Sequence, residues 1–281
     1  MRIIPAKPLT FTAVDGLGFA AATDSLDAAR RSAPYAPHSL GPLLELFYIA
    51  ASGQLPPPAG GAWTAQNGAA PMIDALKDGR ESWVDSDGHR IGFIRAVRAE
   101  PNGDAVLTKF LMEAKRAATE IARLPGTAPG ELVAAMVELQ DNIHEHSDAP
   151  GTGILAFRAA TGVFEFVAAD RGIGVLRSLT RSRKFADLTN HGKALETAVT
   201  DGSSRFDNDG RRGHGFRPIF LGLMNLYGSL RFRSGDYALL MDGTSPGPAT
   251  AQVAQKPFLE GFFASIRCHS VPTFCEEELR W

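Results

Sequence analysis

Cysteine is almost missing from these 281 residues: Cys268 and Cys275 are the only two. A disulfide framework needs more than that, so the small disulfide-stapled scaffolds are excluded. Charge of one sign is not in excess either. Twenty-nine Lys and Arg stand against 31 Asp and Glu, a formal net charge of −2, and no broad basic field points to nucleic acid. Long apolar runs are also lacking. The longest, around residues 43–51, is interrupted by Glu45 and is far too short to cross a bilayer. The opening MRIIPAK has no signal-peptide hydrophobic core, and no internal repeat is evident. The expectation is a protein of a reducing cytoplasm with no nucleic-acid and no membrane partner.

What is present is an ordinary apolar content of 44%, enough for one large domain or two small ones. Residues 1–100 read as an N-terminal accessory or partner-binding α+β region. Residues 3–14 suggest a strand, 25–31 a helix, and 40–51 a better helix with Leu43, Leu44, Phe47 and Ile49 on a buried face. PPPAGG at 56–61 is a loop, 72–76 a short helix, and 82–84 with 90–97 a hairpin around SDGH. His38 and His89 stand alone and suggest no site.

The turn PNGD at 101–104 marks a boundary, with Asp104 as cap of a helix over 105–123. A second helix follows from Thr127 through HEHS, with Pro129 in its first turn. Two strands, 153–159 and 163–169, lead into DRGIG at 170–174 and a short helix over 175–181. Residues 182–212 are polar and glycine-punctuated, with a short helix at 193–199, and read as a lid. GHGF at 213–216 opens an apolar helix to about residue 227. Residues 229–233 and 237–241 read as strands paired around SGD, 242–256 as a loop, 262–267 as a last strand, and 271–281 as a tail.

The chemistry gathers in ELQDNIHEHS, residues 138–147. On a helix, Glu138, Asn142 and Glu145 share one face, while Leu132, Met136, Leu139 and Ile143 share the opposite one. One side is buried, and the other offers a carboxylate and a carboxamide, which suit a hydrated divalent cation and a positioned water. His144 and His146 point about 200° apart on such a helix and cannot share a metal. Cys268, His269 and Cys275 lack an evident fourth ligand and read as ordinary thiols and an imidazole.

The order matters more than any one motif: a helix with E-x-x-x-N, two strands, D-x-G-x-G, a polar lid, then G-x-G at a helix start. Over about residues 105–268 this resembles the GHKL ATPase superfamily, most closely in VELQDNIHEHS and FVAADRGIGVLRSL. It looks closest to small bacterial histidine-kinase-like and anti-sigma-kinase-like ATP-binding proteins.

The resemblance implies a Bergerat ATP-binding fold. That is a two-layer α/β sandwich with a mixed, mostly antiparallel sheet and helices on one face. It spans residues 101–270, after the N-terminal region and before the tail. It implies ATP and Mg²⁺ as ligands, a regulatory protein partner, and a homodimer among the states allowed. Glu138 takes the catalytic role, polarising the attacking water or assisting phosphoryl transfer. Asn142 ligates magnesium, and His146 sits where a basic residue reaches a phosphate. Asp170 accepts from the adenine amino group, while Gly172 and Gly174 let the backbone pass beneath the base. Gly213 and Gly215 cradle phosphates, with His214, Arg212, Arg211, Arg217 and Lys193 as neutralising or donor groups.

The activity implied is that of an ATPase or an anti-sigma-type Ser/Thr protein kinase. The alternative is a non-catalytic ATP sensor whose lid presents a partner-binding surface. A third reading is a partner-binding module with a vacant pocket. The chain departs from the pattern where Gly261 is followed by Phe262 rather than by threonine. It also has no phosphoacceptor His box and no transducer domain, so histidine autophosphorylation and DNA work are not implied.

Overall fold

The structure, a computed structural model, describes residues 7–23, 25, 35–55, 69–86, 90–96, 101–200, 228–242 and 251–271. Along the chain run β1 (Lys7–Pro8), α1 (Phe11–Ala22), β2 (Tyr35–Ala36), α2 (Leu40–Ala51), α3 (Ala69–Lys77), β3 (Ser82–Val84) and β4 (Ile91–Arg95). Then come α4 (Pro101–Arg116), α5 (Ala128–His146), β5 (Ile154–Ala160), β6 (Val163–Asp170), α6 (Gly174–Leu179), α7 (His191–Thr200), β7 (Ser229–Asp242) and β8 (Gln252–His269). None of the described helices is long and apolar enough to cross a membrane.

Strand alternation builds the core. In β5, Leu155, Phe157 and Ala159 join one apolar cluster, while Ile154 and Ala156 join another on the opposite face. β6 repeats this, with Phe164, Phe166 and Ala168 on the first side and Val167 and Ala169 on the second. Six strands form one sheet in the order β3-β4-β5-β6-β8-β7. α4 to α7 cover the first face, and α1 to α3 cover the second.

The expected α/β sandwich is therefore present, with two differences. Helices lie on both faces, making three layers, because the N-terminal helices bury their apolar sides against the sheet. The expected mixed sheet is antiparallel throughout among the described residues, and the parallel pair is the short β1–β2. The first hundred residues share this core: β4 pairs with β5 along Ile91–Arg95.

Several local expectations also change. Of the strand expected over 3–14, residues 3–6 lie outside the described residues, and of 7–14 only Lys7–Pro8 is a strand. A helix begins at Phe11, where the Thr10 side chain accepts from the Ala13 N–H at 3.2 Å. α4 starts at Pro101, so Asp104 lies inside it rather than capping it, and the helix runs on into a π turn at Ala117–Ile121. Thr127 stands at the α5 N-cap, but its hydroxyl donates to Glu131 Oε1 at 2.7 Å instead of capping an amide. The expected hairpin around SGD is one continuous strand, β7, with an irregular register between Ser234 and Tyr237. β8 starts at Gln252, inside the expected loop, so the last strand is far longer than residues 262–267. The C-terminal part of the lid, the GHGF helix, the tail, and the calls on 26–31, 56–61 and 87–89 lie outside the described residues.

A buried ionic cluster joins the N-terminal helices to β7. Arg231 donates to Glu45 at 2.8 and 2.9 Å and to Asp15 at 2.5 Å. Arg233 pairs with the same Glu45, and Lys256 reaches Asp15 at 2.8 Å. Glu45 and Arg233 are 0% exposed. Burial works against the charge on Asp15, but Arg231 and Lys256 outweigh it and hold its pKa below the ordinary value.

Candidate functional site

α5 folds as its pattern predicts: Leu132, Met136, Leu139 and Ile143 are at most 1% exposed. That pins the helix roll and leaves Glu138 and Asn142 half-buried, with Glu145 exposed. Asn142 Nδ2 is buried and has no hydrogen-bond partner among the described residues. A buried amide donor without a partner is uncommon and costs free energy, which marks the position for a ligand that brings an acceptor. His146 is half-buried at the end of the same helix.

β6 delivers Asp170 to the far end of this helix. Its carboxyl is 1% exposed, and Oδ1 accepts from the Gly172 N–H at 2.7 Å. The Phe262 N–H donates to the same carboxyl group. Burial pushes its pKa up to about 7, against the pull of these two amides.

The turn after Asp170 docks directly on the end of α5. The Ile173 N–H donates to the Ser147 carbonyl at 2.9 Å, and a Cβ on Gly172 would stand 2.0 Å from that same oxygen. Only glycine fits there. Thr152 Oγ1 accepts from the Arg171 N–H at 2.9 Å, fixing the other side of the turn. Gly174, at φ +74°, begins α6 against Ser234 and Gly261. A Cβ on Gly261, also at φ +74°, would meet the Asp170 carbonyl oxygen at 2.0 Å.

The fold thus brings the helix bearing Glu138, Asn142 and His146 to the turn bearing Asp170, Gly172 and Gly174, with Ser147 as the junction. Arg212, Gly213, His214 and Gly215, with Arg211 and Arg217, lie outside the described residues. Lys193 is exposed at the start of α7 and pairs with Glu196 at 2.7 Å. Phe262 is 5% exposed, with its ring edge-on to Phe232 at 6.3 Å between centroids.

Sequence reasoning missed three supports of this site: Ser147, Thr152 and Ser234. Each is a small hydroxyl residue, and only tertiary placement makes it a partner of the turn. The pair His191–Asp236, at 2.6 Å, was also missed, since the two residues are 45 positions apart.

Among the described residues, no three or more His, Cys, Asp or Glu side chains converge on a metal position. A cation here would rest on the Asn142 carboxamide and on ligand oxygens, which suits Mg²⁺ because it keeps several waters. Asn142 Oδ1 would be the ligating atom, whereas the buried, unpartnered Nδ2 is a donor and suits an oxygen of the ligand. No protein-family model matches the chain, and no curated protein is detectably similar to it.

Proposed function

We propose that the chain is a Mg²⁺-dependent ATP-binding signalling protein of the GHKL type with a Bergerat-like site, acting as an ATPase or an anti-sigma-type Ser/Thr kinase. The observation that carries this reading is the docking of the Asp170 turn on the end of the Glu138–Asn142 helix through Ser147. It joins the end of the helix that carries Asn142 to the turn that follows Asp170, which supports one ligand being shared between them. Asp170, when ionised, accepts from the adenine amino group, a contact that guanine cannot make because it carries an oxygen there. Asn142 holds Mg²⁺, which when bound offsets phosphate charge. Glu138 lies one helical turn before Asn142, and it accepts the proton of the attacking water or hydroxyl. Asn142 is also near enough in sequence to His146 for both to serve the same phosphate tail.

Titrating ATP with and without Mg²⁺, then assaying phosphate release and label transfer for the native protein and Glu138→Ala, tests this. Binding that depends on Mg²⁺, with turnover lost in the variant, is the expected result. Absence of any ATP-dependent rise in thermal stability sinks the reading, since a ligand of the folded state must raise it. Binding without turnover in either protein selects the ATP-sensor alternative.

Phe262 favours the partner-binding module as a further reading. Its buried ring occupies the position next to Gly261 where the family carries a small hydroxyl residue. Phe262→Thr separates the two: a gain in ATP affinity supports a nucleotide site, and no affinity in either protein supports the module.

A further inference from the structure

Three residues stand in a row across neighbouring strands: Asp170 of β6 opposite Phe262 of β8, and Phe262 opposite Ser234 of β7. Cross-strand partners project to the same face. The first and last of the row are polar and buried, at 1% and 2% exposed. The middle one carries no hydroxyl, yet its peptide links them. The Ser234 hydroxyl donates to the Gly261 carbonyl at 2.7 Å. The same peptide unit donates its N–H, that of Phe262, to the Asp170 carboxyl. On its other side, Ser234 Oγ accepts from the Val175 N–H at 2.9 Å, at the start of α6.

We propose that Ser234 is a positioning residue for the adenine-binding carboxylate, acting through a relay that runs from the Val175 amide through its hydroxyl and the Gly261–Phe262 peptide to Asp170. The inference rests on the ATP-binding reading above. In such a chain each bond polarises the next, so a hydroxyl donating to the carbonyl makes the opposite N–H a stronger donor to the carboxyl. The relay also closes a ring. Asp170 and Val175 are the two ends of the glycine turn, and Ser234 ties the second end to the peptide that holds the first. The fit is close, since a Cβ on Gly174 would stand 2.7 Å from Ser234 Oγ. Ser234 is the last residue of β7 in regular register before the shift at Gly235.

Other titratable groups near the carboxyl must be kept apart in any test. Tyr48 of α2 senses Asp170 and Arg171 electrostatically, and burial with the Asp170 charge pushes its phenol well above its ordinary value. On α5, His146 precedes the Ser147 carbonyl against which Gly172 packs, so His146→Gln is the background for the titrations.

The experiment is a ¹³C titration of the Asp170 carboxyl in nucleotide-free protein, alongside ATP affinity at pH 7. It compares the parent, Ser234→Ala, and Ser234→Thr, which keeps the hydroxyl. Ser234→Cys, close in size but a weak donor, stands in if the alanine variant does not fold. Losing the relay is expected to raise the Asp170 midpoint and weaken ATP about three- to tenfold, the scale of one hydrogen bond, with Thr close to the parent in both. An unchanged midpoint in the alanine or cysteine variant overturns the relay, whatever ATP does. A parent that binds no ATP defeats the functional reading alone, because the carboxyl titration still decides the relay.

Discussion

The two faces of the central sheet hold their buried polar groups in opposite ways. On the N-terminal face, Glu45, Asp15, Arg231, Arg233 and Lys256 form a mutual charge network, and Glu165 receives the Leu40 N–H and the Ser39 hydroxyl, both at 2.7 Å. That carboxylate caps the start of α2 from the neighbouring strand. Arg233 Nε and Ser229 Oγ are exceptions, both buried without a partner among the described residues. On the other face, Asp170 is held by two amides, and Asn142 Nδ2 has no partner among the described residues. Charge satisfied in place makes a joint, whereas charge and dipole left under-satisfied mark a place where something arrives.

The sharpest way to break this contrast is to cut the joint. Glu45→Ala leaves two buried guanidinium groups without their shared carboxylate, and should cost about 3–5 kcal/mol. Urea unfolding at pH 7 measures it, and ATP affinity of the remaining folded protein should change little. A loss below about 1 kcal/mol would remove the distinction between the faces.

Asp170→Asn should act in the opposite direction on stability. The folded carboxyl titrates near 7 rather than near its ordinary 3.8. Between those values the native state holds a proton that the unfolded chain has released, so stability falls as pH rises through the window. The asparagine variant escapes that loss, which amounts to at most about 4 kcal/mol once pH exceeds 7. Melting curves from pH 4 to 8 should show the variant gaining on the parent with rising pH. Its adenosine affinity should drop nonetheless. In the parent, adenosine, which has no phosphate to titrate, should bind more tightly as pH rises through about 7.

The smallest stability effect is expected at Asn142→Ala. The amide nitrogen it removes has no partner among the described residues, so unfolding free energy should move by no more than about 0.5 kcal/mol. The Mg²⁺ dependence of ATP binding should nevertheless disappear. Equal effects of this change and Asp170→Asn on adenosine would argue that the two groups do not divide the ligand between them.

How much of this was legible in the chain follows from contact range. The α5 stripe was readable because Leu132, Met136, Leu139 and Ile143 sit within three turns and report on one another. The strands carrying ILAFRAA and VFEFVAAD were readable by alternation, and α2 matched to the residue at Leu40–Ala51. α1 was not readable. Its glycines weaken local propensity, and what holds it is long-range: Asp15 on Arg231, and Gly18 against Pro257, where a Cβ would come within 2.7 Å. Glu45 read as an interruption of an apolar run, but it is the centre of the buried joint, since its partners lie 186 and 188 positions away. The residues of the turn could be singled out together from DRGIG, whereas Ser147, Thr152 and Ser234 carry no signature that separates them from any surface serine or threonine.

The break in register of β7 has a consequence for how molecules of this protein meet one another. Among the described strands β7 is the rim of the sheet, 14 residues long, and a straight rim of that length invites a foreign strand to zip onto it. At Gly235, with φ +62°, the ribbon twists and its outward row of donors and acceptors falls out of step. That stretch is also covered, since Gly235 packs against the His191 ring at the start of α7, so the break in register and the helix together make it a poor template for a second copy.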